Sequence, residues 1–239
     1  MTAARLLPLL ALLALVSTSS SVSAGTVTGE LTAVSDDIVR GYSRSEGDPT
    51  AQAGLRFRDP SGFFAGLWVS RVSHAFDRRF DDARDLELLA EVGLVHELGQ
   101  DWAVSATFSY HEYPGTSHPT DASYAEIGVA LHHRDLVSLR AAYSDDYLNT
   151  GGEALFLEAT GAYPLPGGVD LSVGVGRAVT DLPSSDYTYA HAALSRPLGP
   201  LDLELGYYWA DADHWGPWGE VVRGRWALAL TWRFPSTVP

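Results

Sequence analysis

Twelve charged side chains recur at alternate positions of short extended segments: Arg56, Arg58, Glu87, Glu91, Glu126, Arg140, Glu158, Asp170, Asp202, Glu204, Arg225 and Arg233. A period of two sends all of them to one face of a sheet. On the inner face of a barrel, such a set of both signs would line a water-filled passage and select solutes by charge. The same charges could instead pair with one another and stiffen a closed lumen. Arg225 and Arg233 lie at one end of the chain and Arg56 and Arg58 near the other, so closure of the sheet would bring these arginines to one wall facing a more acidic one.

Other combinations of residues suggest chemistry less well. Gly174-Val175-Gly176 matches half of a dinucleotide loop, but it sits inside a strand-like run with no helix after it. His132-His133 falls at a tight break and reads better as a solvated turn than as a metal pair. Asp211, Asp213 and His214 share a loop with Trp215 and Trp218, where a cation or ligand site competes with an ordinary acidic loop. His111 and His191, with nearby serines, supply the residue types of a hydrolase placed on the lipid-facing rim of a barrel. No spacing joins a serine, a histidine and an orienting group, however. The reading is therefore no catalytic residues, no metal ligands and no cofactor.

The elements that must position the charged set are strands. About ten residues of two-fold alternation, then a break at Gly, Pro, Asp or Asn, repeat along the chain. Leu55 and Phe57 alternate with Arg56 and Arg58, and Asp59-Pro60-Ser61-Gly62 has turn residues at turn positions. The last run is the most regular, with Trp226, Leu228, Leu230, Trp232 and Phe234 against Arg225, Ala227, Ala229, Thr231 and Arg233. Thr188 to Ser195 is a weaker run, and a weak first strand is read over Thr28 to Tyr42. The count is about twelve. Breaks near Asp59, Gly99, Arg134, Pro166 and Gly199 are tight, whereas those near Ser45, Arg78, Thr116, Asp146, Pro183 and Asp213 are long and polar. Short turns at one end and long loops at the other predict an all-β, antiparallel up-and-down transmembrane barrel with short periplasmic turns and longer extracellular loops.

Alternation alone does not say which face is the core. A soluble barrel or sandwich would turn Leu, Val and Ala inward, but twelve strands enclose more space than that set fills. The aromatics gather at strand ends in two groups. Phe57, Phe63, Trp102, Tyr163, Trp232 and Phe234 lie near short turns, and Tyr110, Tyr143, Tyr207, Trp209 and Trp226 near long loops. Two such belts match the girdles at membrane interfaces, so the apolar set is expected to face lipid.

Residues 1–24 read as a cleavable signal peptide: Arg5, an apolar run from Leu6 to Val16, and a small-residue end at Val22-Ser23-Ala24. Residues 25–239 then form one barrel domain. There is no cysteine, so no disulfide supports it. Every basic residue is arginine, and without Arg5 fifteen bases face thirty acids, an acidity that excludes nucleic acid as a partner. No later stretch is long and apolar enough to cross a membrane as a helix.

Several segments, in order, resemble one known family. These are Val34-Ser35-Asp36-Asp37 through Arg40-Gly41-Tyr42-Ser43, Gly62-Phe63-Phe64-Ala65-Gly66-Leu67-Trp68, Tyr110-His111-Glu112-Tyr113-Pro114-Gly115, Tyr143-Ser144-Asp145-Asp146-Tyr147, and Leu157-Glu158 to Tyr163-Pro164-Leu165-Pro166-Gly167-Gly168. The chain resembles the TorF-type porin family, also known as Gcw_chp, a proteobacterial family of unknown function. The resemblance implies a Gram-negative outer-membrane barrel with pore activity and brings no substrate. It departs at the end, where Phe234, the kind of terminal aromatic that insertion machinery reads, is followed by Pro-Ser-Thr-Val-Pro. The expected function is a porin-like channel for passive diffusion of small hydrophilic solutes or ions, with outer-membrane lipid and the barrel insertion machinery as partners. A closed structural or adhesin-like barrel acting through acidic loops, and a rim hydrolase, are the alternatives.

Overall fold

The computed structural model describes residues 25–73, 84–114, 122–181, 186–212 and 221–237. The expected leader at 1–24 lies outside the described residues. So do the loop centres near Arg78, Thr116 and Pro183 and the residues Asp213, His214, Trp215 and Trp218.

Twelve antiparallel strands close into one barrel: β1 (Thr26–Val34), β4 (Thr50–Arg58), β5 (Phe63–Ser73), β6 (Arg84–Glu97), β7 (Trp102–Glu112), β8 (Tyr124–His133), β9 (Val137–Ser144), β10 (Ala154–Leu165), β11 (Val169–Thr180), β12 (Tyr187–Leu198), β13 (Leu201–Ala210) and β14 (Arg223–Thr237). Each strand pairs with its neighbours in sequence, and β1 closes the ring by pairing with β14 on one side and β4 on the other. Every backbone donor and acceptor in the hydrocarbon layer therefore has a ladder to join, which is what a bilayer demands of strands. The short connections after β4, β6, β8, β10 and β12 lie at one end and the longer ones at the other.

The pleat puts the apolar phase outside. Leu55, Leu94, Ile127, Val129, Leu139, Val175 and Leu228 are all about half exposed on the outer surface. Tyr163 and Trp232 at the short-turn end and Tyr207 and Trp226 at the long-loop end form two exposed aromatic belts, and Tyr207 packs against Trp226 with ring centroids 5.1 Å apart. The inner phase carries the Gly, Ser, Thr and charged residues.

Two sequence readings change. The first strand stops at Val34 rather than running to Tyr42, and the chain turns into the lumen as a hairpin of β2 (Ile38–Val39) and β3 (Tyr42–Ser43). Arg40 and Gly41 form its two-residue turn with φ of +49° and +84°, the left-handed pair that a tight hairpin of this length requires. At the other end, Pro235 to Thr237 do not form a tail beyond the last strand. They continue β14 and pair with Thr28, Val27 and Thr26.

A charge placed on the outer face should be costly. Val129→Arg, at a mid-strand position 58% exposed, is expected to destabilise the barrel in lipid vesicles by about 2–4 kcal/mol, read as a shift of the denaturant midpoint. A change under about 0.5 kcal/mol, as at an ordinary wet surface, would contradict the lipid-facing assignment.

Candidate functional site

The lumen is the site, and its long-loop half is filled. The segment from Ser35 to Asp48 enters it after β1, held by an ion-pair network. Arg40 donates to both carboxylate oxygens of Glu126, at 2.6 and 2.9 Å, and its guanidinium lies 3.7 Å from the centre of the Phe156 ring. Arg44 binds Asp37 through one nitrogen, at 2.8 and 3.1 Å, and Glu87 through another. Glu87 also accepts hydrogen bonds from the Tyr113 hydroxyl at 2.8 Å and meets His111 Nδ1 at 2.8 Å. Asp36 accepts from Ser43 and Ser45, and Arg225 reaches it from β14 at 2.8 Å. Ser70 of β5 donates to Asp37 at 3.0 Å. Asp36, Asp37, Glu87 and Glu126 are all almost fully buried. Carboxylates are tolerated there because each is paired and hydrogen-bonded, and bidentate arginine contacts are the strong form of such pairing.

Beside this polar network lies an aromatic layer. Tyr42, Tyr113, Tyr124, Tyr147, Phe156, Tyr187 and Tyr189 form one buried cluster at the long-loop end. Tyr42 meets Tyr187 edge-on with centroids 5.1 Å apart, Tyr147 meets Phe156 at 5.3 Å, and Tyr124 stacks on His111 at 4.4 Å. A short 3₁₀ turn at Tyr147–Asn149 brings Tyr147 and Leu148 in from the β9–β10 loop. Burial pushes the Tyr42 hydroxyl up to about 12, and that of Tyr113 well above its ordinary value.

Below the plug lie two polar cavities bordered by described residues. One, about 460 Å³, is roofed by Arg40, Tyr42 and Arg44 and walled by Glu91, Glu126, Arg140, Glu158 and Glu204, with His191 and Tyr208. The other, about 590 Å³, lies nearer the short-turn end and is lined by Glu30, Arg56, Arg58, Trp68, Glu91 and Arg233. Leu89 and Glu91 border both. A hollow of about 600 Å³ beside Val129, Leu139, Leu157 and Val175 also borders Arg140 and Glu158 of the first cavity.

Most of the twelve charges read from the sequence border these spaces. Glu87 and Glu126 are buried as anchors of the plug. Glu91, Arg140, Glu158 and Glu204 face the first cavity, and Arg56, Arg58, Glu91 and Arg233 the second. Asp202 meets Arg233 and Arg225 meets Asp36. Asp170 is exposed at the start of β11, away from both cavities. Arg56, Arg58 and Arg233 do gather on one side, as closure of the ring requires, but the walls are not separated by sign. Arg56 pairs with Glu91, Arg140 with Glu158 at 2.9 Å, and Arg233 with Asp202 and Glu30.

Sequence reasoning missed Arg40, Arg44, Asp36 and Asp37. Their signal is that Asp36, Asp37 and Arg40 interrupt the alternation inside the run from Thr28 to Tyr42, with Arg44 just beyond it. His111 and His191 point into the lumen and not toward the lipid-facing rim, which removes them from a rim hydrolase: one is held by Glu87 and the other lies beside Tyr208. His132 meets Ser105 at 3.0 Å, and His133 packs against Trp102. Asp211 accepts the Thr188 N–H at the mouth. No group of three acidic or histidine side chains suited to a metal occurs among the described residues.

Two outcomes follow from the plug. Arg44→Ala would leave Glu87 and Asp37 buried without their cation and should cost about 3–5 kcal/mol of unfolding stability, whereas Arg44→Met with Glu87→Leu should cost far less. Equal losses would deny that the charge pair governs this end. Because the Tyr42 hydroxyl is held above its ordinary value of 10.0 at about 12, the stability it contributes is complete below pH 10 and lost as pH rises through 12. The denaturant midpoint of the protein should therefore fall over that interval, and fall less in Tyr42→Phe.

The comparisons with known proteins agree with this fold. No curated protein matches the sequence. Among solved structures, the NanC porin superposes with a TM-score of 0.54 at 11% identity, covering 91% of this chain and 100% of that one. The KdgM porin gives 0.53 at 10% identity, covering 87% and 99%. A deletion mutant of TodX, described as a monoaromatic hydrocarbon channel, gives 0.51 at 10% identity, covering 90% and 91%. At such identities the likeness concerns the barrel alone. Residues 18–229 match the family described as bacterial protein of unknown function, and the chain belongs to that family, Gcw_chp.

Proposed function

We propose that the protein is a porin-like channel of the outer membrane, passing small hydrophilic solutes, in which the β1–β4 loop sets how far the lumen is open. The observation that carries this is the inner wall below the plug: charged and hydrogen-bonding side chains border two polar cavities that share Leu89 and Glu91. A barrel serving only as a scaffold would be more stable with that space filled by apolar side chains. Local pairing of Arg56 with Glu91 and of Arg140 with Glu158 keeps the passage polar without a strong net field. Selection by size and hydrogen bonding then acts beside selection by local charge. The protein carries no catalytic role in this reading.

The filled long-loop half favours a second reading, a closed structural barrel. Discrimination rests on the hairpin, which Arg40 and Arg44 hold to the wall together with Asp36 on Arg225, Asp37 on Ser70, Tyr42 on Tyr187 and the Val222 N–H on the Gly41 carbonyl. Its β2–β3 ladder has only two residue pairs, Ile38 with Ser43 and Val39 with Tyr42. Arg40 sits in the left-handed region, at a cost of about 1–2 kcal/mol for a side-chain-bearing residue, and the Glu126 contact offsets it. Such a hairpin is conditionally stable and can leave when its pairs are lost.

Conductance in a planar bilayer tests this. The wild-type protein should give small, discrete steps, and Arg40→Gln with Arg44→Gln should raise either the step size or the open fraction severalfold. Silence from both proteins, with folding shown by heat-dependent gel mobility, would establish the closed barrel instead.

A further inference from the structure

One wall of the first cavity combines aromatic rings over glycines, a pattern also seen at Trp68 over Gly54 and Phe64 over Gly93, with a glutamate that no arginine pairs among the described residues. On β12 and β13, Tyr189, His191 and Tyr208 lie in the polar, inward phase, and all three lie close over lumen-facing glycines. A Cβ on Gly174 would come within 2.3 Å of the His191 ring, one on Gly176 within 2.2 Å of the Tyr189 ring, and one on Gly206 within 2.5 Å of the Tyr208 ring. The missing side chains let the three rings settle against the backbone beside the cavity. His191 and Tyr208 are near parallel, with an angle of 26° and centroids 5.9 Å apart.

The charge at this wall is negative. The cavity is bordered by three arginines, Arg40, Arg44 and Arg140, against five glutamates. Each arginine is committed to a carboxylate, and Glu91 is taken by Arg56. Glu204 makes no ion pair with a basic side chain among the described residues; its contact is a long one, 3.5 Å, from the Tyr208 hydroxyl. Tyr189, only 7% exposed, lines the same cavity, with its hydroxyl beside Glu158 and its oxygen free to accept a further hydrogen bond.

From these features we propose that the Tyr189–His191–Tyr208 wall with Glu204 is a binding subsite for a small organic cation, a protonated amine carrying a short carbon chain. The aromatic faces attract cationic groups, Glu204 supplies the counter-charge, and the Tyr189 hydroxyl offers an acceptor to an N–H donor. Carbon next to the ammonium would pack on the rings. A bare metal ion fits less well, because no cluster of three acidic or histidine side chains exists to replace its hydration among the described residues. A cavity of about 460 Å³ is large enough for such a solute. This subsite deepens the channel reading and depends on it for its role in transport.

Calorimetric titration of the detergent-purified protein with n-butylammonium, and with 1-butanol as the uncharged match, tests the subsite independently of conduction. We expect saturable binding of butylammonium, at least tenfold weaker binding of butanol, and about a tenfold loss in Glu204→Gln. Tyr208→Leu should lose several-fold, and excess sodium should leave binding largely intact. No saturable binding of butylammonium to folded protein, equal binding of the alcohol, or an unchanged Glu204→Gln would each overturn the subsite. Binding without bilayer conductance would keep the subsite and sink the channel, whereas conductance without binding would do the reverse.

Discussion

The structure depends on the closing of a hydrogen-bonded ring by β1. This nine-residue strand pairs along its whole length with β14 on one side and β4 on the other, joining segments about 200 positions apart. In hydrocarbon an unpaired sheet edge is untenable, so the other eleven strands can hold their places only if this last seam forms. Closure also fixes which residues share the interior. Arg233 of β14 stands across from Glu30 of β1, and Arg56 of β4 stands across from Thr28. The lumenal chemistry is thus a product of topology: residues with no sequence proximity become one lining because the ring has no other way to close.

A ring of twelve strands leaves more room than its own inward side chains fill, and the protein uses the connection after β1 to fill half of it. The economical way to place a polar loop inside a barrel is to give each buried charge a partner. Arg40 and Arg44 enter with the loop, while Glu126 and Glu87 wait on β8 and β6. These pairs differ from the surface pairs at the other end, such as Arg134 with Asp101, which remain solvated and contribute little. The two ends of the lumen consequently differ in kind, with a packed, low-dielectric network at one end and wet, locally paired charges at the other. A channel that opens by releasing the hairpin would convert the first condition into the second.

Much of this was legible in the chain. Strand number, the outward direction of Leu55, Val129 and Leu228, the two aromatic belts and the alternation of short and long connections all follow from a period of two and from turn residues. Those signals are local. What was not legible is long-range. Glu126 and Arg40 are 86 positions apart, and nothing in either neighbourhood marks them as partners. The run from Thr28 to Tyr42 was read as one strand because Ile38, Val39 and Tyr42 are good strand formers and the left-handed turn at Arg40-Gly41 lacks the usual Asn-Gly marker. The residues after Phe234 can extend the last strand because proline is acceptable where it costs one ladder donor near a strand end. Membrane belts mark aromatics in the apolar phase, so Tyr189 and Tyr208 in the polar phase carry no such signal, and His191 reads only as a residue type for a rim hydrolase. The informative pattern is an aromatic in the polar phase beside a glycine, one strand away for Tyr189 and His191 and two residues away on the same strand for Tyr208.

The most direct test of a lumen closed at one end by an arginine-held hairpin uses the absence of native cysteine. Ser172, which borders the first cavity below the plug, would be replaced by cysteine and exposed in intact cells to a small, charged, membrane-impermeant thiol reagent added from outside. The account requires slow labelling when Arg40 and Arg44 are present and labelling at least tenfold faster when both are glutamine. Equally fast labelling in the two backgrounds would mean that the hairpin does not close the passage.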